Sequence, residues 1–106
     1  MKPFPAKKAM KTITLDQLEA IVANINRLTN SPSAAYTKHS DGSFTPNANC
    51  YHLSGAYGGY ALHRMSDKPG CTGVSDIFGG HMPKRELAER MWAFIKGIEA
   101  RTLPVA

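Results

Sequence analysis

The thiols and imidazoles are the first side chains to weigh for chemistry. Cys50 and His52 stand two residues apart, and Cys71 is followed by His81 after nine intervening residues. A cysteine beside a histidine can become a thiolate nucleophile. Two cysteines with two histidines can hold zinc. The spacing argues against both. On a strand, residues 50 and 52 would point the same way about 7 Å apart, too far for direct proton transfer. Structural zinc sites draw their ligands in close pairs at hairpin knuckles, and Cys71-x9-His81 is not such a pair. His39, His52, His63 and His81 are scattered singly, and no G-x-S-x-G elbow is present. GAYGG lacks the G-K-[ST] of a phosphate loop and reads better as a hairpin turn. These patterns supply no catalytic residue, no metal ligand set and no cofactor site, so the chain reads as a non-enzyme.

The second constellation is YHLSGAYGGYALHRM, residues 51–65, which holds three of the four tyrosines. If NCYHLS and GYALHRM are paired strands joined by GAYG, alternation decides what each ring does. Tyr51 and Leu53 share one face of their strand, and Tyr60, Leu62 and Arg64 share one face of theirs. His52 and His63 point away from those sets. The leucines mark the core face, so at least one tyrosine per strand is expected to be partly buried. Tyr57 lies inside the turn and is the best-exposed ring. With Arg64, Lys68 and Tyr36 or Phe44 it could support stacked bases, each worth roughly 1–3 kcal/mol without any sequence match.

The elements that must position these groups are legible from pattern. Thr14 and Gln17 form a capping box, with Ile13 and Leu18 at the staple positions. Leu15, Leu18, Ile21, Val22, Ile25 and Leu28 then recur at helical spacing, and Asn30-Ser31-Pro32 stops them, predicting a helix over 14–29. Asp41-Gly42 predicts a hairpin turn between short runs, with Pro46 limiting the second run to an edge. TGVSDIF, residues 72–78, could add a further short strand. Pro83 suits a helix start, and Leu87, Met91, Phe94, Ile95 and Ile98 predict a helix over 83–99, with Trp92 beside the stripe as ordinary core widening. The expected fold is α+β: an N-terminal helix, a short antiparallel meander and a C-terminal helix, with both helices on one sheet face. The other face would stay open to water or a partner.

The 106 residues suffice for one domain, with 42% apolar and 20% charged residues as in globular chains. Residues 1–11 hold Lys2, Lys7, Lys8 and Lys11 with no acid and no periodic pattern, and read as a flexible basic arm ahead of a single domain at 12–106. The net charge is +5, and it sits at the two ends, the second cluster being Lys84, Arg85, Arg90, Lys96 and Arg101 against Glu86, Glu89 and Glu99. That asymmetry suits a polyanion, although mild basicity also serves solubility alone. Neither an apolar leader region nor a bilayer-length apolar run stands out, so no membrane is implied. A cytoplasmic location is expected, in which Cys50 and Cys71 stay thiols.

YHLSGAYGGYALHRM followed by GVSDIFGGHMPKRELAERMWAFIKGIE resembles small proteins encoded by phages and prophages, a group that includes anti-CRISPR proteins. The resemblance covers the C-terminal half and has no shared catalytic motif. It implies inhibition of a bacterial defence complex by occupying a nucleic-acid or protein surface. Many such inhibitors are acidic mimics of DNA, whereas this chain is basic. The expected partner is therefore nucleic acid, preferably single-stranded, held by Lys7, Lys8 and Lys11 on the arm, Tyr57, Tyr60 and Arg64 on the hairpin, and Lys84, Arg85 and Arg90 on the last helix. The alternative partner is an acidic surface of a host defence protein.

Overall fold

The computed structural model describes residues 12–102. Helix α1 spans Leu15–Leu28 and α2 spans Lys84–Thr102, with five strands between them: β1 Tyr36–Lys38, β2 Phe44–Pro46, β3 Tyr51–Ala56, β4 Gly59–Met65 and β5 Val74–Asp76. The architecture is α+β with antiparallel strands, as expected. It departs from one continuous meander, because the strands divide into a two-stranded ribbon, β1-β2, and a three-stranded sheet, β3-β4-β5. The division falls at Pro46, after which Asn47 bonds back to Ala35 instead of extending toward β3.

α1 begins where its capping box requires. Thr14 Oγ1 accepts from Gln17 N–H at 3.1 Å while Gln17 Oε1 accepts from Thr14 N–H at 2.8 Å. Ile13 and Leu18 are both buried in the core, which fixes the entry angle of the chain. The stripe from Leu18 through Ile21 and Val22 to Ile25 is buried, whereas Leu15, at its N-terminal end, is 41% exposed. α2 buries Leu87, Ala88, Met91 and Ile95. Trp92 is 46% exposed and stands outside the core cluster, contrary to the expectation that it widens the core. α2 continues through Gly97 to Thr102, beyond the expected end at 99, since one helical glycine costs only about 1 kcal/mol.

The two helices pack on each other, α1 also against β3 and α2 against β4. Their stripes meet Tyr51 and Leu62 in one hydrophobic cluster, joined by Leu53, Tyr60 and Ile77. The register pairs Tyr51 with Arg64, Leu53 with Leu62 and Gly55 with Tyr60, so these residues share the helix-facing side of the sheet. Asn26, 3% exposed, seals the outer edge of β3: its amide donates to Tyr51 O at 2.9 Å and accepts from Tyr51 N–H at 2.8 Å. A helix side chain thus takes the place of a neighbouring strand, satisfying the backbone groups of an edge.

Candidate functional site

The same alternation that buries the leucines sends His52, Ser54, Ala61, His63 and Asp76 to the side away from the helices. The register sets His52 opposite His63, Ser54 opposite Ala61 and His63 opposite Asp76. His81 joins them through an interruption in the outer strand. Ile77 N–H still bonds Leu62 O at 3.0 Å, then Phe78–His81 leave the ladder, and Met82 returns to exchange both backbone bonds with Tyr60 at 2.8 and 2.9 Å. Gly79 and Gly80, with φ of 85° and 130°, permit the excursion. It carries the His81 ring across β4 to Ser54, whose Oγ lies 3.0 Å from His81 Nε2. The crossing point is Ala61, a side chain small enough to pass beneath.

Four rings follow one another on this face. Tyr57 meets His81 at 5.5 Å between centroids, His81 meets His63 at 6.0 Å, and His63 meets His52 at 5.8 Å, all edge-to-face. At the head of the row, Tyr57 is 94% exposed. It occupies the first central position of the β3-β4 turn with φ 52°, followed by Gly58 at φ 75°. Two positive φ angles are what a tight hairpin turn demands, but asparagine or glycine normally supplies the first. A solvated tyrosine held left-handed serves neither the core nor the turn, and such outliers gather at functional sites.

The electrostatics of the row are uneven. Burial pushes the His52 pKa down, the backbone bond at Leu53 opposes this, and the neighbouring His63 charge lowers it further. His52 Nε2 is buried without a partner among the described residues. His63 Nε2 stands 4.0 Å from Asp76 Oδ2. Slight desolvation raises the Asp76 pKa, but the amides of Gly80 and Gly79, the His63 charge and the Phe78 amide together hold it below the usual carboxylate range. Ser54 and His81 have the reach of a nucleophile and its base. Among the described residues, however, no hydrogen bond orients His81 from its other nitrogen, and the carboxylate lies beside His63 instead.

The residues expected to touch a ligand are distributed as follows. Tyr57 is presented outward. Tyr60 is half-buried on the helix side, its ring packed over Gly55, where an added Cβ would approach Tyr60 Cε1 to 3.2 Å. Tyr60 and Lys84 line a shallow groove of about 500 Å³ along the hairpin. Arg64 is also half-buried on the helix side, at the far end of β4 from Tyr57, so those two do not share a surface. Arg85 lies 3.9 Å from Glu89, and Arg90 lies 3.2 Å from Glu86. Lys7, Lys8 and Lys11, with the arm that carries them, lie outside the described residues. Tyr36 and Phe44 make an exposed edge-to-face pair at 6.4 Å on the separate ribbon.

Cys50 is buried, its thiol pKa raised by burial against an Asn26 hydrogen bond, while Cys71 is exposed, and both are free. Cys71 belongs to the exposed loop between β4 and β5. Among the described residues no group of three or more His, Cys, Asp or Glu is placed to hold a metal ion, and no helix is long and apolar enough to cross a membrane. Reasoning from sequence overlooked the histidine row and Ser54. Strand parity puts His52 and His63 on one side, but nothing in the sequence draws His81 to them. No family model, curated protein or solved structure gives a significant match to the chain.

Proposed function

We propose that the protein binds single-stranded nucleic acid along the face that carries Tyr57, His81, His63 and His52. The observation that carries this reading is the solvated, left-handed Tyr57 at the head of a continuous row of rings. Tyr57 offers its face to a base, and base–aromatic stacking tolerates any sequence. The imidazoles of His81 and His63 further along can donate to phosphate oxygens. Lys84 beside the hairpin and the lysines of residues 1–11 add the sequence-independent attraction. Arg85 and Arg90 contribute less, because carboxylates already face them. In a phage-encoded setting, such binding would interfere with a defence complex by occupying the single strand that the complex exposes.

The test is fluorescence anisotropy with labelled single-stranded DNA and RNA across a salt series. With three to four phosphates neutralised, log affinity should fall with a slope of roughly −2 to −3 per decade of salt. A flat salt response, or no binding at low salt, would refute the proposal.

A second reading rests on the β1-β2 ribbon. Tyr36, Phe44 and Lys38 share one face of it by register, and the rings are 44% and 59% exposed. That combination fits an acidic protein surface, such as a subunit of a defence effector. Capture of one host polypeptide that persists after nuclease treatment, and is lost on Phe44→Ser, would favour it over the first.

A further inference from the structure

Arg64 is singled out by what it lacks. It is half-buried, its Nε is buried without a hydrogen-bond partner, and among the described residues no carboxylate stands within salt-bridge distance. A buried donor of this kind is ordinarily hydrogen-bonded. It also lies between two cavities. One, of about 370 Å³, is lined by Arg64, Ser66, Asp67, Gly73 and Ser75 among others, and the second, of about 210 Å³, lies against the end of α1 at Asn30. The larger is within the size range of small-molecule sites.

We infer that the larger cavity is a binding site for a hydroxyl-bearing phosphate monoester, such as a sugar phosphate. The guanidinium fork matches two phosphate oxygens at once. Ser75 is paired directly across the ladder from Arg64, so both reach the same side of the sheet. Ser66 Oγ already accepts from Lys68 N–H at 3.1 Å, which leaves its own proton to donate into the cavity. These three groups can serve the several oxygens of a phosphate, more than a carboxylate presents. Asp67 would repel a bare anion but accepts from a hydroxyl, which is why the ligand carries both groups. The site lies on the helix-facing side, away from the ring row, and does not depend on single-strand binding there.

The test is thermal denaturation and calorimetry of the full chain with ribose 5-phosphate, inorganic phosphate and ribose, each at up to about 10 mM, where a ligand of the native state raises Tm by mass action. Ribose 5-phosphate should raise Tm, phosphate less so, and ribose not at all. Arg64→Gln should weaken ribose 5-phosphate binding by roughly tenfold or more. Ser75→Ala, at an exposed position, should weaken it several-fold while leaving the unliganded Tm in place. If Arg64→Gln fails to fold, Arg64→Lys keeps the charge without the fork and should still bind several-fold more weakly. No Tm shift in the native protein would overturn the inference, as would equal shifts in the native protein and Ser75→Ala. An unliganded Tm that falls in both Arg64 variants while affinity holds would assign Arg64 to the end of α1 alone.

Discussion

Replacing Tyr57 with asparagine should move stability and binding in opposite directions. The tyrosine backbone sits at φ 52°, where an L-residue pays about 1–2 kcal/mol that asparagine largely avoids through local hydrogen bonds. Against this stands the edge contact with His81 at 5.5 Å, made by a ring 94% exposed and therefore burying little area. The expected net effect is a gain of about 0.5–1 kcal/mol, read as a higher urea midpoint at unchanged slope. Single-strand affinity should fall by about 1–3 kcal/mol, roughly 5- to 150-fold, if the ring stacks on a base. The salt slope should not change, because no charge is removed. Tyr57→Phe keeps the ring and should keep the affinity. An asparagine variant that binds as well as the native protein would remove Tyr57 from the interface. One that loses more than about 1 kcal/mol of stability would show that the ring is structural.

Three further outcomes test the frame behind the site. Asn26→Leu strands the N–H and C=O of Tyr51 at a buried edge and should cost about 2–6 kcal/mol in urea unfolding, at about 1–3 kcal/mol per orphaned group; a loss below about 1 kcal/mol would mean that water replaces the amide. Gly59→Ala places a Cβ 2.7 Å from Met82 O, so it should break the Tyr60–Met82 bridge and destabilise the chain by about 1–3 kcal/mol, with the His81 ring resonances shifting in the NMR spectrum. For His52, burial lowers the folded-state pKa, so the unfolded chain takes up its proton first as pH drops through about 6.5. Stability should therefore decline from neutral pH toward about 5.5, and His52→Gln should flatten that decline; an unchanged slope in the variant would assign the effect elsewhere.

Much of the frame was readable because its signals are local. The capping box at Thr14 and the 3.6-residue stripe of α1 involve neighbours along the chain, and the structure reproduces both. Parity on β3 and β4 divides leucines from histidines for the same reason: a strand turns its side chains over every residue. The split of the strands into ribbon and sheet was less legible. Pro46 limits pairing on one side, but the choice between one sheet and two depends on what the helices cover. Trp92 shows the same limit, since its place beside the stripe does not reveal how wide the opposing surface is.

The sequence by itself determined where helices and strands run, that Tyr57 would sit in a turn, and that positive charge gathers toward both ends. Only the tertiary structure decided that His81 crosses Ala61 to reach Ser54 and His63, and that Arg64 stands unpaired at a cavity far from Tyr57. The physical reason is range. Periodicity, capping and turn chemistry act over a few residues, whereas a row of rings drawn from β3, β4 and a glycine-hinged loop exists only once those segments have paired in register.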